Sequence, residues 1–245
     1  MKINRVSIAG PDNKTEILKL ALLQKKYPFV EWGILLSGFK AGTNRYPDAE
    51  WLYSLMVVNE SVPLNLSGHI CGKWMRDILA GHWTIFQHHL MLAGHFNRWQ
   101  FNCHGNTSAL KRPECLSCLK KVFYSNGTFT DKLPDPAFIF PWNGGDHDYL
   151  DVIKEQGISA NLLFDISGGK GIKLGKAAKW PKAIGYTGYA GGLNPDDIEE
   201  QIAAIDPVIG DQVVWLDLES GVRTDNEFDL EKVEQFLKIA QKWVV

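Results

Sequence analysis

Residues 188–195 read Gly188-Tyr189-Ala190-Gly191-Gly192-Leu193-Asn194-Pro195, between an apolar run at 182–186 and a helical pattern at 196–205. This order predicts a strand, a glycine-rich turn and a helix, with Asn194 as the N-cap and Pro195 at the first helical position. Such a turn directs backbone N–H groups at the space above the strand, where they suit a phosphate. Because glycine pairs also form ordinary tight turns, this stretch alone leaves both interpretations open.

Two more glycine-containing turns follow apolar runs in the same half of the chain. Asp165-Ile166-Ser167-Gly168-Gly169-Lys170-Gly171 comes after the run 161–164, and Glu219-Ser220-Gly221-Val222-Arg223 comes after the run 213–218. Three such turns in succession favour a shared phosphate site. The candidate ligand-binding residues in these turns are Gly168, Gly169, Gly171, Gly191, Gly192, Ser220 and Gly221.

Short β-branched or aromatic runs alternate with longer amphipathic stretches along the whole sequence. Strict alternation indicates a parallel sheet with right-handed crossovers, and eight units in about 250 residues match a closed β/α barrel. The predicted strands lie within 6–10, 30–37, 62–71, 98–104, 137–142, 160–166, 183–189 and 212–219. The predicted helices lie within 12–26, 48–59, 73–80, 108–123, 147–156, 173–179, 195–205 and 230–244.

The fold class expected is therefore α/β, a closed (β/α)8 TIM barrel that forms a single domain over 1–245. An open doubly wound sheet would usually carry its glycine motif after the first strand, and Ala9-Gly10-Pro11-Asp12 is too poor in glycine for that. In barrels the phosphate site is commonly built from the loops after strands seven and eight, where two of the three turns lie. The region 82–97 is either an enlarged third βα unit or a lid.

Charge and hydropathy restrict the class of partner. The net charge is −2, and no broad basic face is evident, so we expect neither nucleic acid nor a membrane surface as partner. No apolar run is long enough to span a bilayer, and the N-terminus lacks the apolar core of a secretory signal. These features predict a cytoplasmic monomer or homodimer that binds a small phosphorylated ligand and uses no cofactor.

The four cysteines do not form a disulfide scaffold in a chain of this length. Cys103-His104 and the pair Cys115 and Cys118 could form a zinc site, although the second half of a structural zinc signature is missing. The alternative is that Cys115 and Cys118 lie on adjacent turns of a helix and face the core as small apolar groups.

The three C-terminal turns resemble, in the same order, those of phosphoribosylanthranilate isomerase, a barrel enzyme of tryptophan biosynthesis. The similar segments are Leu162-Leu163-Phe164-Asp165 with Gly168 to Gly171, Ala190 to Pro195, and Leu216 to Val222. Weaker similarity extends upstream to Arg45-Tyr46 after strand two, to 100–105 at strand four and to Ile8-Ala9-Gly10 at strand one.

The resemblance implies an Amadori-type ring opening at a phosphorylated sugar, without a metal. An acid protonates the furanose oxygen, and in the family this acid is the strand-six aspartate, here Asp165. A base removes the proton from the neighbouring carbon, and in the family it is a cysteine at the end of strand one, where this chain has Ala9. Histidine or thiolate could substitute, and His69, Cys71, Cys103 and His104 all lie near predicted C-terminal strand ends. Asp217 would contact the aglycone amine.

The residues themselves support several of these assignments. Asp165 ends an apolar strand, where a carboxylate is costly unless it is paired or used, so it is either catalytic or a cap of its turn. Asp217 and Glu219 are two residues apart and share a face directed into the barrel, where Asp217 either contacts the ligand or forms an ion pair in the core. His69 and Cys71 likewise share a face, which makes them acid/base candidates if that face is the inner one.

Arg45 follows the polar loop Ala41-Gly42-Thr43-Asn44, where its guanidinium could clamp a carboxylate or remain solvated. The leading functional hypothesis is a sugar-phosphate isomerase with Asp165 as general acid. The second is a non-catalytic barrel that binds a sugar phosphate or nucleotide after losing the base. A third is a zinc-dependent barrel using Cys71, Cys103 and nearby histidines.

Overall fold

A computed structural model describes residues 1–82, 94–103, 106–124, 137–145, 147–165 and 180–245. In this part of the chain eight parallel strands pair in sequence order, and the last pairs with the first, so that the sheet closes into a barrel. The predicted (β/α)8 fold is therefore confirmed. The strands are β1 Lys2–Ala9, β2 Val30–Leu36, β3 Leu66–Ile70, β4 Arg98–Phe101, β5 Ala137–Trp142, β6 Ala160–Phe164, β7 Thr187–Tyr189 and β8 Val213–Leu218. A small antiparallel hairpin follows, formed by β9 Arg223–Thr224 and β10 Glu227–Phe228.

The helices pack around the outside of the barrel, and none among the described residues is long and apolar enough to cross a membrane. The predicted helix at 173–179 and most of the segment at 82–97 lie outside the described residues. The described α-helices are α1 Ile17–Lys26, α2 Ala49–Ser61, α3 Gly72–Leu79, α4 Pro113–Tyr124, α5 Tyr149–Glu155, α6 Ile198–Ile209 and α7 Leu230–Ala240. Short 3-10 turns cover Thr107–Lys111, Ser220–Val222 and Gln241–Trp243.

The prediction that Asn194 caps α6 and that Pro195 begins it is wrong. The helix begins at Ile198, and the Oδ1 atom of Asn194 accepts a hydrogen bond of 2.9 Å from the N–H of Asp196. Asparagine commonly closes such a turn with the backbone two residues ahead, and this bond holds the chain in a turn before the helix starts. The cap position is Asp197.

Alternate residues of each strand face the helices and the barrel interior. In β8, Val214, Leu216 and Leu218 belong to the large outer core, whereas Trp215 packs in a separate inner cluster. The period of two therefore directs Asp217 inward, as predicted. Cys115 and Cys118 of α4 are buried in the outer core, in agreement with their prediction as small apolar groups.

A buried ion-pair network fills the amino-terminal end of the barrel interior. Glu31 of β2 is fully buried and accepts bonds from the Nε and Nη2 atoms of Arg98, with 2.9 Å between Nε and Oε2. Arg5 of β1 pairs with the same carboxylate. The Arg98 guanidinium also stacks on the Trp215 ring, 4.6 Å from its centroid. This network closes the floor beneath the carboxyl-terminal mouth of the barrel.

The two ends of the chain meet at the amino-terminal end of the barrel. Ile3 of β1 forms a parallel bridge with Val244, and the N–H of Val245 donates to the Ile3 carbonyl at 3.0 Å. The N-terminal ammonium group forms an ion pair with Asp206 of α6. Both ends are therefore fixed on the side opposite the mouth.

Candidate active site at the carboxyl ends of the strands

The carboxyl end of β1 contributes a methyl group to the mouth. Ala9 is 1% exposed and packs with Leu35 of β2 and with Cys71, which follows β3; Tyr46 of the loop after β2 lies against this cluster. The cluster is separate from the outer core, so its side chains line the interior. Cys71 is thus brought next to the position at which the resemblance expects a cysteine.

The Cys71 thiol is held in a polar hydrogen-bonded environment. Its Sγ atom accepts from Nδ2 of Asn102 at 3.1 Å and donates to the His69 carbonyl at 3.5 Å. Burial raises the pKa of Cys71 to about 11, although the hydrogen bonds from Asn102 and Tyr46 oppose the rise. The thiol is therefore protonated at neutral pH, and a thiolate is the reactive form of cysteine.

His69 lies deeper in the barrel than Cys71. Its Nε2 atom is 3.0 Å from the Ser67 hydroxyl, and the ring occupies the space over Gly33, where a Cβ would lie 2.7 Å from Cε1. Burial lowers the pKa of His69 to about 4, with the Arg98 charge adding to the effect and Glu31 opposing it. The imidazole is consequently neutral at physiological pH.

Asp165 and Asp217 lie close enough across the mouth to interact electrostatically. Asp165 directly follows β6 in the phase of Leu163, which faces the interior, and Asp217 faces the interior from β8. Burial raises the pKa of Asp217 to about 7, with the Ser7 hydroxyl and the Arg98 charge opposing the rise and the Asp165 carboxyl adding to it. A buried carboxyl that titrates near neutral pH is suited to acid/base chemistry.

One oxygen of Asp217 has no protein partner within the described ranges. The residue is 8% exposed, and its Oδ1 atom accepts no hydrogen bond; the Ser7 hydroxyl approaches without full hydrogen-bond geometry. The Oε1 atom of Gln100 on β4 is also buried and without a partner in this part of the chain, whereas its Nε2 atom donates to Asn102 at 2.9 Å. Buried polar atoms are normally satisfied, so these two acceptors are available to donor groups of a ligand or of water.

The turns after β7 and β8 are in direct contact. At Gly221 a Cβ atom would lie 1.9 Å from the Leu193 carbonyl oxygen and 2.9 Å from Cβ of Asn194, so no side chain fits there. Gly192 has a φ of 70° and Gly191 a φ of 149°, conformations that glycine adopts at little cost. The contact brings the backbones of both glycine turns together at the mouth.

Arg45 is engaged in an ion-pair network around the turn after β8. Its Nη1 atom bonds the Glu219 carboxylate, and its Nη2 atom donates to Oδ1 of Asn226 at 2.9 Å. Arg223 in turn donates to the Gly10 carbonyl at 2.8 Å and to Asp12 at 3.0 Å. The Arg45 guanidinium is therefore neither free nor fully solvated, and a ligand carboxylate would have to share it with Glu219.

The described residues of the predicted site gather at one end of the barrel, with His69 deeper inside. Cys103, proposed as a substitute base, instead packs in the outer core. Among the described residues no three histidine, cysteine or acidic side chains lie close enough to hold a metal ion. His104, Gly168, Gly169 and Gly171 lie outside the described residues.

Several interactions of the interior were not predicted. Glu31 and Arg98 build the floor, Asn102 bonds Cys71, and Glu219 neutralises Arg45. One signal was available: Glu31 and Arg98 are charged residues at the interior phase of otherwise apolar strands, and a buried charge requires a partner. The pairing itself could not be read from the chain, because the partners are far apart in sequence.

The acid/base groups predict a distinctive pH dependence of stability. Asp217 has a folded pKa of about 7 and an unfolded pKa of 3.8, so the free energy of unfolding falls as pH rises from 4 to 7, by about 4 kcal/mol in total. His69 has the opposite sign, since its folded pKa of about 4 lies below 6.5, so stability is lost as pH falls through that window. The free energy of unfolding of Asp217→Asn minus that of wild type is expected to increase by about 4 kcal/mol between pH 4 and pH 8.

Urea denaturation at intervals between pH 4 and 8 measures this difference, and groups common to both proteins cancel in it. Asp211→Asn is the matched control, because Asp211 is exposed just before the same strand. A difference that stays constant with pH would contradict the raised pKa of Asp217, whereas the control is expected to stay flat.

A protein family model matches the part of the chain that carries the two contacting turns. Residues 138–239, from β5 to α7, match the model of the family N-(5'phosphoribosyl)anthranilate (PRA) isomerase. The chain folds as a PRA isomerase-like barrel. The matched region contains Asp165, Asp217 and the contacting turns at Gly192 and Gly221. No curated protein sequence matches the chain.

Solved barrel structures resemble nearly the whole chain in fold. The N-(5'-phosphoribosyl)anthranilate isomerase of Pyrococcus furiosus is 16% identical with a TM-score of 0.52, covering 97% of this chain and 98% of that chain. Phospho-2-dehydro-3-deoxyheptonate aldolase of Thermotoga maritima is 11% identical with a TM-score of 0.52, covering 97% of this chain and 68% of that chain. At these identities the likeness is one of fold.

Proposed function

We propose that the protein binds a phosphorylated sugar at the mouth of the barrel and isomerises it by metal-independent acid/base catalysis. The substrate class is an N-substituted pentosylamine phosphate, of which N-(5'-phosphoribosyl)anthranilate is the first compound to test. The family match over 138–239 supports this class, because that region carries the two contacting turns and both interior carboxyl groups.

The observation that carries the proposal is the contact of Gly221 with the Leu193 carbonyl. It joins the turns after β7 and β8 at the position where barrels commonly bind phosphate. Adjacent glycine turns can direct several backbone N–H groups at one anion without obstruction by side chains. The chain has a net charge of −2 and no broad basic face, so an anion must be bound locally in this way.

The interior carboxyl groups supply the chemistry for such a ligand. Asp165 protonates the ring oxygen of the sugar, the bond between that oxygen and the anomeric carbon breaks, and an iminium forms at nitrogen. Removal of the proton from the adjacent carbon then gives a double bond between the two carbons. The anomeric carbon carries the nitrogen as in an enamine, and the adjacent carbon carries the hydroxyl group as in an enol. Ketonisation returns a proton to the anomeric carbon, so that the reaction is an isomerisation without oxidant or reductant.

A second candidate function is favoured by Ala9. The resemblance expects a base at this position, and the methyl group here cannot accept a proton. A barrel that retains the phosphate turns but lacks a base would bind a sugar phosphate or nucleotide without turnover. The two candidates share the binding site and differ in catalysis, so turnover by the wild-type protein separates them.

Binding of inorganic phosphate tests the shared site. Wild-type protein is expected to bind phosphate in isothermal titration calorimetry, and Gly221→Ala is expected to weaken binding at least about tenfold because its Cβ forces the two turns apart. Ser220→Asp is a second variant that keeps Gly221 and places a negative charge in the turn after β8, where the Ser220 hydroxyl is 3.5 Å from Nη1 of Arg45. It is expected to weaken binding through repulsion.

Gly145→Ala serves as the control, because Gly145 is exposed in the loop after β5. The nearest atom to its new Cβ would be the side-chain oxygen of Asn143, at 3.2 Å. Equal affinity in wild type, Gly221→Ala and Ser220→Asp would contradict the phosphate site. Turnover of N-(5'-phosphoribosyl)anthranilate, followed by loss of its fluorescence, then distinguishes an isomerase from a binding protein.

A further inference from the structure

The proposed isomerisation requires a base, and the resemblance leaves that role open at Ala9. We propose that Asp217 is the catalytic base that removes the proton from the carbon next to the anomeric carbon, a role that rests on the proposed function. The base would thus have moved from the first strand to the neighbouring eighth strand.

The strand register places Asp217 beside the position of Ala9. β1 and β8 pair in parallel, with Ser7 opposite Asp217 and Ile8 opposite Leu218. Ala9 is two residues beyond Ser7 and also faces inward. Asp217, on the adjacent strand, is therefore two residues deeper in the barrel than Ala9. Asp217 lies near the carboxyl end of β8, just before its turn, so a sugar ring held by phosphate at the turns after β7 and β8 would extend over this part of the interior.

The Asp217 carboxyl has an oxygen atom that a ligand could contact. It is more than nine-tenths buried, faces the interior from between Trp215 and Glu219, and has its Oδ1 atom without a partner in the described part of the chain. A base needs a lone pair that no protein donor occupies, and a carboxylate in an apolar surrounding is a stronger base than one in water. Gln100, with its own unpartnered Oε1 atom, would accept from a sugar hydroxyl beside it.

The other ionisable groups near Ala9 are less suited to the role. Glu219 is bound to Arg45, and the Cys71 thiol is protonated at neutral pH and bonded by Asn102. His69 is one step deeper than Cys71, is 2% exposed and contacts Ser67 through Nε2. Each would have to break an existing interaction or give up a proton before it could act.

Asp165 and Asp217 can divide the two proton transfers. The Asp165 carboxyl adds to the rise in the pKa of Asp217, because two carboxylates close together resist being ionised at once. In the proposed mechanism Asp165 donates a proton to the ring oxygen, and the ionised form of Asp217 takes the C–H proton. The C–H electron pair forms the new carbon–carbon double bond, and the iminium electrons return to nitrogen.

The test measures kinetics and phosphate binding on the same set of proteins. Asp217→Asn is expected to lower kcat for N-(5'-phosphoribosyl)anthranilate by about 10²–10⁴-fold, the usual contribution of general base catalysis. The Kd for inorganic phosphate should stay within about twofold of wild type, since no phosphate contact is removed. Asp217→Glu, which keeps the carboxyl group, should recover part of the lost kcat, and Asp211→Asn should behave as wild type.

The pH profile distinguishes a base from a structural residue and from an acid. In wild type, kcat/KM is expected to rise with pH up to about 7, where the Asp217 carboxyl ionises, and this rise should be absent from the residual activity of Asp217→Asn. A rate that falls as pH passes through 7, or an Asp217→Asn variant that keeps a third or more of wild-type kcat, would overturn the inference.

The same measurements separate failure of the inference from failure of the proposed function. If wild type turns over the substrate and Asp217→Asn does as well, the isomerase stands and Asp217 is not its base. If wild type binds phosphate but turns over no pentosylamine phosphate, the catalytic function falls and the assignment of a base falls with it. If wild type binds no phosphate, the site itself is wrong.

Discussion

Asp165→Asn is expected to lower kcat for N-(5'-phosphoribosyl)anthranilate by about 10²–10⁴-fold and to leave phosphate affinity unchanged. The asparagine keeps the shape of the side chain but cannot deliver a proton to the ring oxygen, so the leaving oxygen would depart as an alkoxide. Asp165 directly follows β6 with its side chain in the interior phase, and it interacts electrostatically with Asp217. Steady-state kinetics and phosphate titration on the same preparation measure both effects.

Asp151→Asn is the control for this change, because Asp151 is exposed on α5, outside the barrel interior. A variant at Asp165 that loses phosphate binding together with turnover would indicate a structural role in the turn. A variant that retains turnover would remove Asp165 from the mechanism and require another group as the acid.

Glu31→Gln is expected to lower the free energy of unfolding by about 3–5 kcal/mol, because it leaves Arg98 and Arg5 without their shared carboxylate. Burial by itself would raise the pKa of Glu31, but the charges and hydrogen bonds of Arg98 and Arg5 outweigh it and lower the pKa to about 2. Glu31 is fully buried and Arg98 is 3% exposed, so water cannot compensate for the loss. Urea denaturation at pH 7 measures the change.

The exposed pair of Glu199 and Lys242 provides the comparison. Glu199→Gln is expected to have little effect, since surface ion pairs contribute little to stability. Replacing both Glu31 and Arg98 by Met should destabilise the protein less than Glu31→Gln, because no unpaired charge then remains near the barrel floor except Arg5, which is partly exposed. Equal effects of Glu31→Gln and Glu199→Gln would show that the floor network does not support the fold.

Much of the fold could be predicted from the sequence, because its cause is local. Apolar strands such as 30–36 and amphipathic helices such as 230–240 carry their own periodicities, and eight alternating units have few ways to close. The start of α6 was predicted three residues too early, because the side chain of Asn194 serves a turn and a helix cap equally well. Local propensity does not distinguish the two uses.

The candidate site was predictable in position and only partly in its interactions. Alternation along β8 was enough to direct Asp217 inward, and the glycines marked the turns that meet at Gly221. The pairing of Arg45 with Glu219 depends on how two distant loops approach each other, and no local pattern encodes that distance. The near-neutral pKa of Asp217 likewise depends on burial and on Asp165, which only the closed barrel brings near.

The bridge between Ile3 and Val244 has a practical consequence for handling the molecule. Since both termini emerge side by side behind the barrel floor, a label, surface tether or fusion partner attached to either one leaves the mouth unobstructed. A short peptide could also link Val245 to Met1, and the polypeptide could then be reopened in an outer loop as a circular permutant.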